Sequence, residues 1–343
     1  MKKIFTILCL CISFGAFAQD PQFSQFYANP LYLNPAFAGA AQTSRATINY
    51  RNQWPALSAN YITSAASFDT YLDKYNSGLG ITLLNDTQFS NLRSTDIGLH
   101  YAYQMRLNED NFLRMGLQTS YVNRGSDFYK LTFGDQLSDR GATGAPTLDP
   151  VRDNGVRVNY FDASVGALFY NQNTWVGFSA SHINRPDQSV VRGSAAYLPM
   201  KFTLHAGYKF ILGEGTVGNG LGSEMNREAS ISPTILYKKQ GEFDQLDAGV
   251  YFTYSPLVLG VWYRGIPVKQ YKAGINNHDA LVFLVGYRAD NLSFGYSYDT
   301  TISTLGVGTG GSHEISISYL FEPLLIGKKK KPYNKKELAC PKF

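Results

Sequence analysis

The residues able to do chemistry in this chain are few and poorly arranged for it. The five histidines, His100, His182, His205, His278 and His313, show neither an H-x-x-H nor a C-x-x-C spacing that would hold a metal. "SHIN" at 181–184 supplies a nucleophile, a base and an orienting amide by type. Adjacent residues of a strand face opposite sides, however, so Ser181 and His182 cannot act as a pair there. Asp127, Asp135, Asp139, Asp149 and Asp153 crowd the stretch 125–155, but the D-x-D-x-D-G pattern of a calcium loop is missing. "GTGG" at 308–311 lacks the strand-loop-helix context of a phosphate site and marks a turn. No catalytic residue, cofactor-binding residue or metal ligand emerges, and the expectation is a protein that is not an enzyme.

The elements that would position such groups begin with a leader. "MKK", the apolar run "IFTILCLCISFGAFA" and Ala16-Phe17-Ala18 have the layout of a signal peptide over 1–18, cleaved before Gln19. Cleavage removes Cys9 and Cys11 and leaves Cys340, so no internal disulfide is available. The formal net charge of +5 falls to +3 without Lys2 and Lys3, and "KKKKPYNKKELACPKF" at 328–343 carries seven Lys and one Glu, or +6. The body, 19–327, therefore nets 3 − 6 = −3. A nucleic-acid partner has no electrostatic basis. The basic end is compatible with a solvated tail, with contact to anionic lipid or peptidoglycan, or with an acidic protein.

Composition and periodicity identify the class. The chain has 24 Tyr, 22 Phe and 32 Gly, with only 17% charged residues. Beyond the leader, no apolar run reaches the ~18 residues of a membrane helix. Period-2 alternation recurs instead: Phe202, Leu204, Ala206, Tyr208 and Phe210 alternate with Lys201, Thr203, His205, Gly207 and Lys209. The same holds for Ile97, Leu99, Tyr101 and Tyr103 against Gly98, His100 and Ala102, and for Ile315, Ile317, Tyr319 and Phe321. The strands are near the ~9–11 residues that cross a bilayer, aromatics stand near their ends, and their polar faces suit a wet lumen better than a sandwich core. His100 and His205 read as solvated pore-wall residues.

Fourteen segments qualify: 45–51, 60–70, 78–85, 93–105, 111–122, 156–171, 173–183, 199–212, 227–239, 243–254, 256–264, 278–289, 290–299 and 311–321. The even number suits a bacterial single-chain barrel. With the N-terminus in the periplasm, the outer connections include the long ones 123–155, 184–198, 265–277 and 300–310. One helical turn is allowed for near 128–138. On the periplasmic side only 213–226 is long.

The mature chain opens with "QDPQFSQFYANPLYLNPAFAGA", which reads as neither helix nor strand. Asn29-Pro30 and Asn34-Pro35 recur five residues apart; each Pro fixes φ and biases its predecessor away from helix, and Asn can close an Asx-type turn. The aromatics Phe23, Phe26, Tyr27, Tyr32 and Phe37 need apolar shelter. A stretch so placed serves as a plug in the lower, periplasmic part of the barrel, as a dock for partners, or as both.

This stretch resembles the PorP/SprF family of Bacteroidota in Pro21, Phe23, Ser24, Gln25, Tyr27, Asn29, Pro30, Leu33, Asn34, Pro35, Ala36 and Gly39. The likeness extends more loosely to "RNQWP" at 51–55, "FGDQ" at 133–136 and the rest of the mature chain. The resemblance implies an outer-membrane protein of the type IX secretion system. It implies as partners other type IX components and a large surface adhesin with a type B C-terminal sorting domain, secreted or anchored with this protein's help, often in gliding motility. The whole is expected to be all-β: a signal peptide (1–18), an irregular N-terminal segment (19–44), a transmembrane outer-membrane β-barrel of about 14 antiparallel strands (45–321) contacting lipid, and a basic periplasmic tail (322–343). An ordinary diffusion porin is the rival reading, and an outer-membrane hydrolase built on His100, His182 or His205 ranks last.

Overall fold

The computed structural model describes residues 20–88, 91–126, 131–139, 141–149, 157–191, 193–215, 227–272, 275–303 and 306–321. The expected leader, 1–18, and the expected basic tail, 322–343, lie outside the described residues. Fourteen antiparallel strands make one closed sheet. They are β1 (Ser44–Gln53), β2 (Tyr61–Leu72), β3 (Ser77–Gln88), β4 (Leu92–Arg106), β5 (Phe112–Ser126), β6 (Val158–Tyr170) and β7 (Thr174–Ser181). Next comes β8, which runs as Lys201–Tyr208 and Phe210–Gly215 with both parts paired to β9 (Arg227–Gln240). β10 (Phe243–Tyr254), β11 (Leu257–Lys272), β12 (Ile275–Ala289), β13 (Leu292–Thr301) and β14 (Ser312–Phe321) complete the sheet. β1 closes on β14, from Ser44 opposite Phe321 to Gln53 opposite Ser312. Closure removes the sheet edge, so each strand's ladder can be satisfied inside a bilayer.

All fourteen predicted segments lie on these strands, including β1 to β3, where alternation in the sequence is weakest. One end of the barrel carries tight turns at 73–76, 107–111, 171–173, 255–256 and 290–291; the other, the loop end, carries 54–60, 127–157, 182–200 and 302–311. The connection expected at 265–277 is different. β11 continues to Lys272 and β12 starts at Ile275, so these residues extend a hairpin. Gly265 and Pro267 resemble turn residues in sequence, yet the ladder absorbs this stretch as register shifts, with Gly265 at φ +144°. The helical turn in the long loop is short, Gly134–Gln136.

The two faces of the wall separate as alternation requires. Outside, Ile48, Leu99, Leu117, Phe161, Phe283 and Ile317 are exposed in a belt; inside, Thr47, Asn49, Arg51, His100, Arg114, Asp162 and Glu314 are buried. The interior is not the open wet lumen expected from the polar faces. Residues 20–43 run through it and cover His205, which is 0% exposed against Tyr27, Asn34 and Phe37; His100, against Thr82 of the wall, is 3% exposed. Toward the turn end the inner wall is itself apolar, with Ala102, Phe112, Leu168, Tyr170, Trp175, Tyr251 and Val258 in one buried cluster with the segment's own side chains.

Leu99 sits at the middle of β4 and is 58% exposed. Leu99→Arg is expected to destabilise the folded barrel by about 2–4 kcal/mol, the cost of a cation at the bilayer midplane. Urea titration of protein refolded into lipid vesicles reads this directly; an unchanged midpoint would mean that the face does not meet lipid.

Candidate functional site

Three short turns make up the inserted segment: Phe26–Ala28 and Pro35–Phe37 are 3-10 turns, and Pro30–Leu33 is a single α-turn. The stretch is therefore helical in pieces rather than irregular throughout. Asn29 and Asn34 interrupt it, each followed by Pro at the first helical position, where the missing N–H costs nothing. Asn34 Oδ1 accepts from the Ala36 amide at 2.9 Å, an Asx turn. Asn29 makes no such bond. Of the twelve motif residues, Pro21 is half-buried and the other eleven are buried.

The wall supplies what the segment's backbone lacks. Arg114 Nε donates to the Ala36 carbonyl at 2.9 Å, its Nη2 donates to the Ala38 carbonyl, and its Nη1 donates to Gln104 Oε1 at 2.5 Å. Asn34 Nδ2 donates to the Ala167 and Phe178 carbonyls at 3.0 and 3.1 Å. Ser179 Oγ donates to the Leu33 carbonyl at 3.0 Å, and the Gly39 amide donates to Asp69 Oδ2 at 2.8 Å. Such closeness needs bare backbone opposite. A Cβ at Gly116 would lie 2.2 Å from the Ala36 nitrogen, one at Gly166 2.0 Å from Asn34 Oδ1, and one at Gly78 1.9 Å from the Ala38 oxygen. The aromatics find their shelter here. Phe26 meets Trp262 edge-on at 4.8 Å, Trp175 Nε1 donates to the Tyr27 hydroxyl at 2.7 Å, and Phe37 stacks on His205 at 5.5 Å.

Higher in the lumen a charge network grips Ser24 and Gln25. Glu314 accepts both of their amides, at 2.7 and 3.0 Å. Arg51 and Arg264 each donate to Ser24 Oγ, at 2.8 and 2.7 Å, and that hydroxyl donates to Asp299 Oδ2 at 2.6 Å. Arg51 pairs with Asp299 and Glu314, and Arg264 with Asp299 and Asp247. Every one of these charges is at most 4% exposed and holds an opposite charge, as burial demands. Asp20 ends the described path among residues of the loop end: His182 Nε2 lies 2.8 Å from its Oδ2, Gln240 Nε2 donates to its Oδ1 at 3.0 Å, and Lys201 contacts it. The segment thus traverses the lumen from loop end to turn end rather than occupying only the lower, periplasmic part. Above it a cavity of about 490 Å³ opens, floored by Asp20–Phe23, Phe26, Asn29, Tyr32 and Leu33.

The other predicted candidates stay apart. His182 uses Nδ1 on Asp162 at 2.9 Å and Nε2 on Asp20; with both nitrogens committed to carboxylates it is no general base. His100 meets Thr82 Oγ1 at 3.0 Å, and His278 and His313 meet Tyr263 and Tyr296. Asp135 accepts from the Thr147 hydroxyl and the Leu148 amide, both at 2.6 Å, which holds its carboxyl below the usual range. Asp127 and Asp153 lie outside the described residues, and among those described no cluster of metal ligands occurs. Arg51, Arg114, Arg264, Asp299, Glu314 and the glycines facing the segment were missed in the sequence. The available signal was charge on the inward phase of membrane strands, which a water-filled lumen explains equally well.

Two outcomes follow from this packing. Gly116→Val sets a branched side chain against the Ala36 backbone, beyond the ~1–3 kcal/mol of ordinary overpacking. It is expected to leave a heat-modifiable barrel whose residues 20–43 are cut by added protease, whereas wild type resists. The head of the segment is also pH-sensitive. Burial opposes the charge on His182, but Asp20 and Asp162 overrule it and raise its pKa to about 9. Burial likewise opposes the Asp20 carboxylate, and His182 and Lys201 hold it well below the usual range. The histidine's contribution is full below its unfolded value of ~6.5 and is lost as pH rises through about 9; that of Asp20 is full above ~4 and is lost in stronger acid. Proteolysis of residues 20–30 should therefore increase between pH 7 and 9.5, and His182→Gln should flatten that rise.

The chain is similar to several solved structures and to one described family. The P. putida toluene transporter TodX is 10% identical with a TM-score of 0.44, covering 84% of this chain and 93% of its own. The Acinetobacter baumannii outer membrane protein Omp33 is 9% identical with a TM-score of 0.36, covering 82% and 100%. The KdgM porin, in complex with disordered oligogalacturonate, is 8% identical with a TM-score of 0.37, covering 80% and 99%. No curated protein sequence matches the chain. The family described as "Type IX secretion system membrane protein PorP/SprF" matches residues 15–319, nearly the whole chain. A closed fourteen-stranded barrel threaded by its own N-terminal segment is thus the form taken by this chain, which belongs to the PorP/SprF family of outer-membrane type IX secretion proteins.

Proposed function

We propose that this protein supports the secretion or surface anchoring of a large adhesin bearing a type B C-terminal sorting domain, in adhesion or gliding, and that it does so as a binding barrel. The observation that supports this most is the filled lumen. Residues 20–43 cross it with their backbone groups bonded to the wall, and such a barrel is poorly suited to free diffusion. In this reading the tight turns face the periplasm and the long loops face outward. The segment 19–44 acts as a plug, and its motif residues from Pro21 to Gly39 hold the barrel in the shape its partners meet. The outer surface has contact area to offer: Leu137, Leu148 and Tyr197 on the long loops are 57%, 91% and 63% exposed, and Val268 on the extended hairpin is 97% exposed. The rest of the secretion machinery and the surrounding lipid complete the partner set, and no cofactor is required.

Purification from native membranes in mild detergent should bring down a very large surface protein, and deleting the gene for this chain should abolish that protein's display. A barrel recovered alone from cells displaying the adhesin normally would remove the reading. The diffusion-porin rival is separated by planar-bilayer recording. Wild type should be nearly silent, and deletion of residues 20–40 should open a conducting pore; steady wild-type conductance would favour the porin.

A further inference from the structure

The cavity above the inserted segment is lined by four carboxylates, Asp20, Asp244, Asp279 and Asp299, and as many cations, yet one of the cations has no partner. Four cationic side chains other than histidine line it: Arg51, Lys201, Lys238 and Arg264. Arg51 is spent on Asp299 and Glu314, Arg264 on Asp247 and Asp299, and Lys201 on Asp20. On the acidic side, Asp244 is matched by Lys269, and Asp279 stands 3.8 Å from Arg264. Lys238 alone among these four cations has neither ion pair nor hydrogen bond within the described residues. It is half-buried, on the inward phase of β9.

A second group in the same cavity is unspent. Asn29 is 1% exposed, and its Nδ2 has no hydrogen-bond partner. A buried amide left so is costly unless something accepts its hydrogen bond. It belongs to the floor, and Lys238 to the wall, of one space. Phe23, Trp54 and Phe243 line the same space with apolar surface. Its volume of about 490 Å³ falls within the ~300–1,000 Å³ of sites that hold small ligands or short peptide pieces. An ammonium and an amide N–H without acceptors, beside aromatic rings, form a receptor for a carboxylate attached to an apolar body.

We propose that this cavity receives a short extended peptide through one carboxylate, whether an acidic side chain or a chain end. Lys238 is its counter-ion, Asn29 donates to it, and Phe23, Trp54 and Phe243 cover its apolar flank. This rests on the reading of the protein as a secretion partner only in taking the ligand to be polypeptide rather than solute.

Full-length protein in detergent is titrated calorimetrically with acetyl-Gly-Phe-Gly-Glu, with its amidated glutamine counterpart acetyl-Gly-Phe-Gly-Gln-amide, and with N-acetylphenylalanine. The acidic tetrapeptide should bind at least about tenfold more tightly than the amidated one. Lys238→Gln should weaken the acidic peptide by about tenfold, or ~1.4 kcal/mol, and leave the amidated one unchanged. Lys238→Arg should retain most of the binding, and heat-modifiable migration establishes that each variant is folded. Equal binding of the two peptides overturns the proposal. So does wild-type affinity in Lys238→Gln, or binding of N-acetylphenylalanine alone, which would mark a solute site. The titration contains no adhesin, so its failure removes the cavity's role and leaves the export reading to co-purification. Lys238-dependent peptide binding without a co-purifying adhesin would sink the export reading and uphold this one.

Discussion

The interaction on which the rest depends is the satisfaction of the inserted backbone by the barrel wall. A peptide that is neither a long helix nor part of a sheet carries donors and acceptors that cannot be left dry. Glu314 takes the amides of Ser24 and Gln25, Asp69 takes that of Gly39, and Arg114 takes the carbonyls of Ala36 and Ala38. Each of these wall residues would be an expensive buried polar group without the segment, and the segment would be equally costly without them. Removal of either partner strands the other, which couples the insert to the barrel far more firmly than its aromatic packing alone.

This coupling also accounts for the division of the lumen. Near the turn end the segment presents Phe26, Tyr27 and Phe37, and the wall answers with Trp175, Trp262, Tyr251 and the opposed glycines. Farther up it presents Ser24 and Asp20, and the wall answers with arginines and carboxylates. Above Asp20–Phe23 lies a cavity with Lys238 in its wall and Asn29 in its floor, and neither Lys238 nor Asn29 Nδ2 has a partner among the described residues. The interior is graded from apolar packing to paired charge to an open cavity.

The strands were legible because their cause is local. Alternation in "KFTLHAGYKF" or "EISISYLF" follows from a lipid belt on one side only, and a period of two survives whatever lies on the other side. The extended hairpin over 265–277 was not legible, since Gly265 and Pro267 serve a bulge as readily as a turn. The candidate site was half legible. Asn-Pro repetition and five aromatics marked 20–40 as a segment needing shelter, but His100 and His205 looked like solvated wall because inward polarity has the same signature beside water and beside a packed peptide.

By itself, then, the sequence determined an outer-membrane barrel of fourteen strands, a family, and a front segment unable to join the sheet, because strand periodicity and proline geometry are properties of neighbouring residues. The tertiary structure alone decided that the segment spans the lumen, that Arg114 and Glu314 hold it, that three glycines make room for it, and that Lys238 above it and the Asn29 amide within it are left unpaired. Those contacts join residues as far apart as Ser24 and Glu314, and which charges meet across such a separation depends on barrel closure and register, to which no local pattern is sensitive.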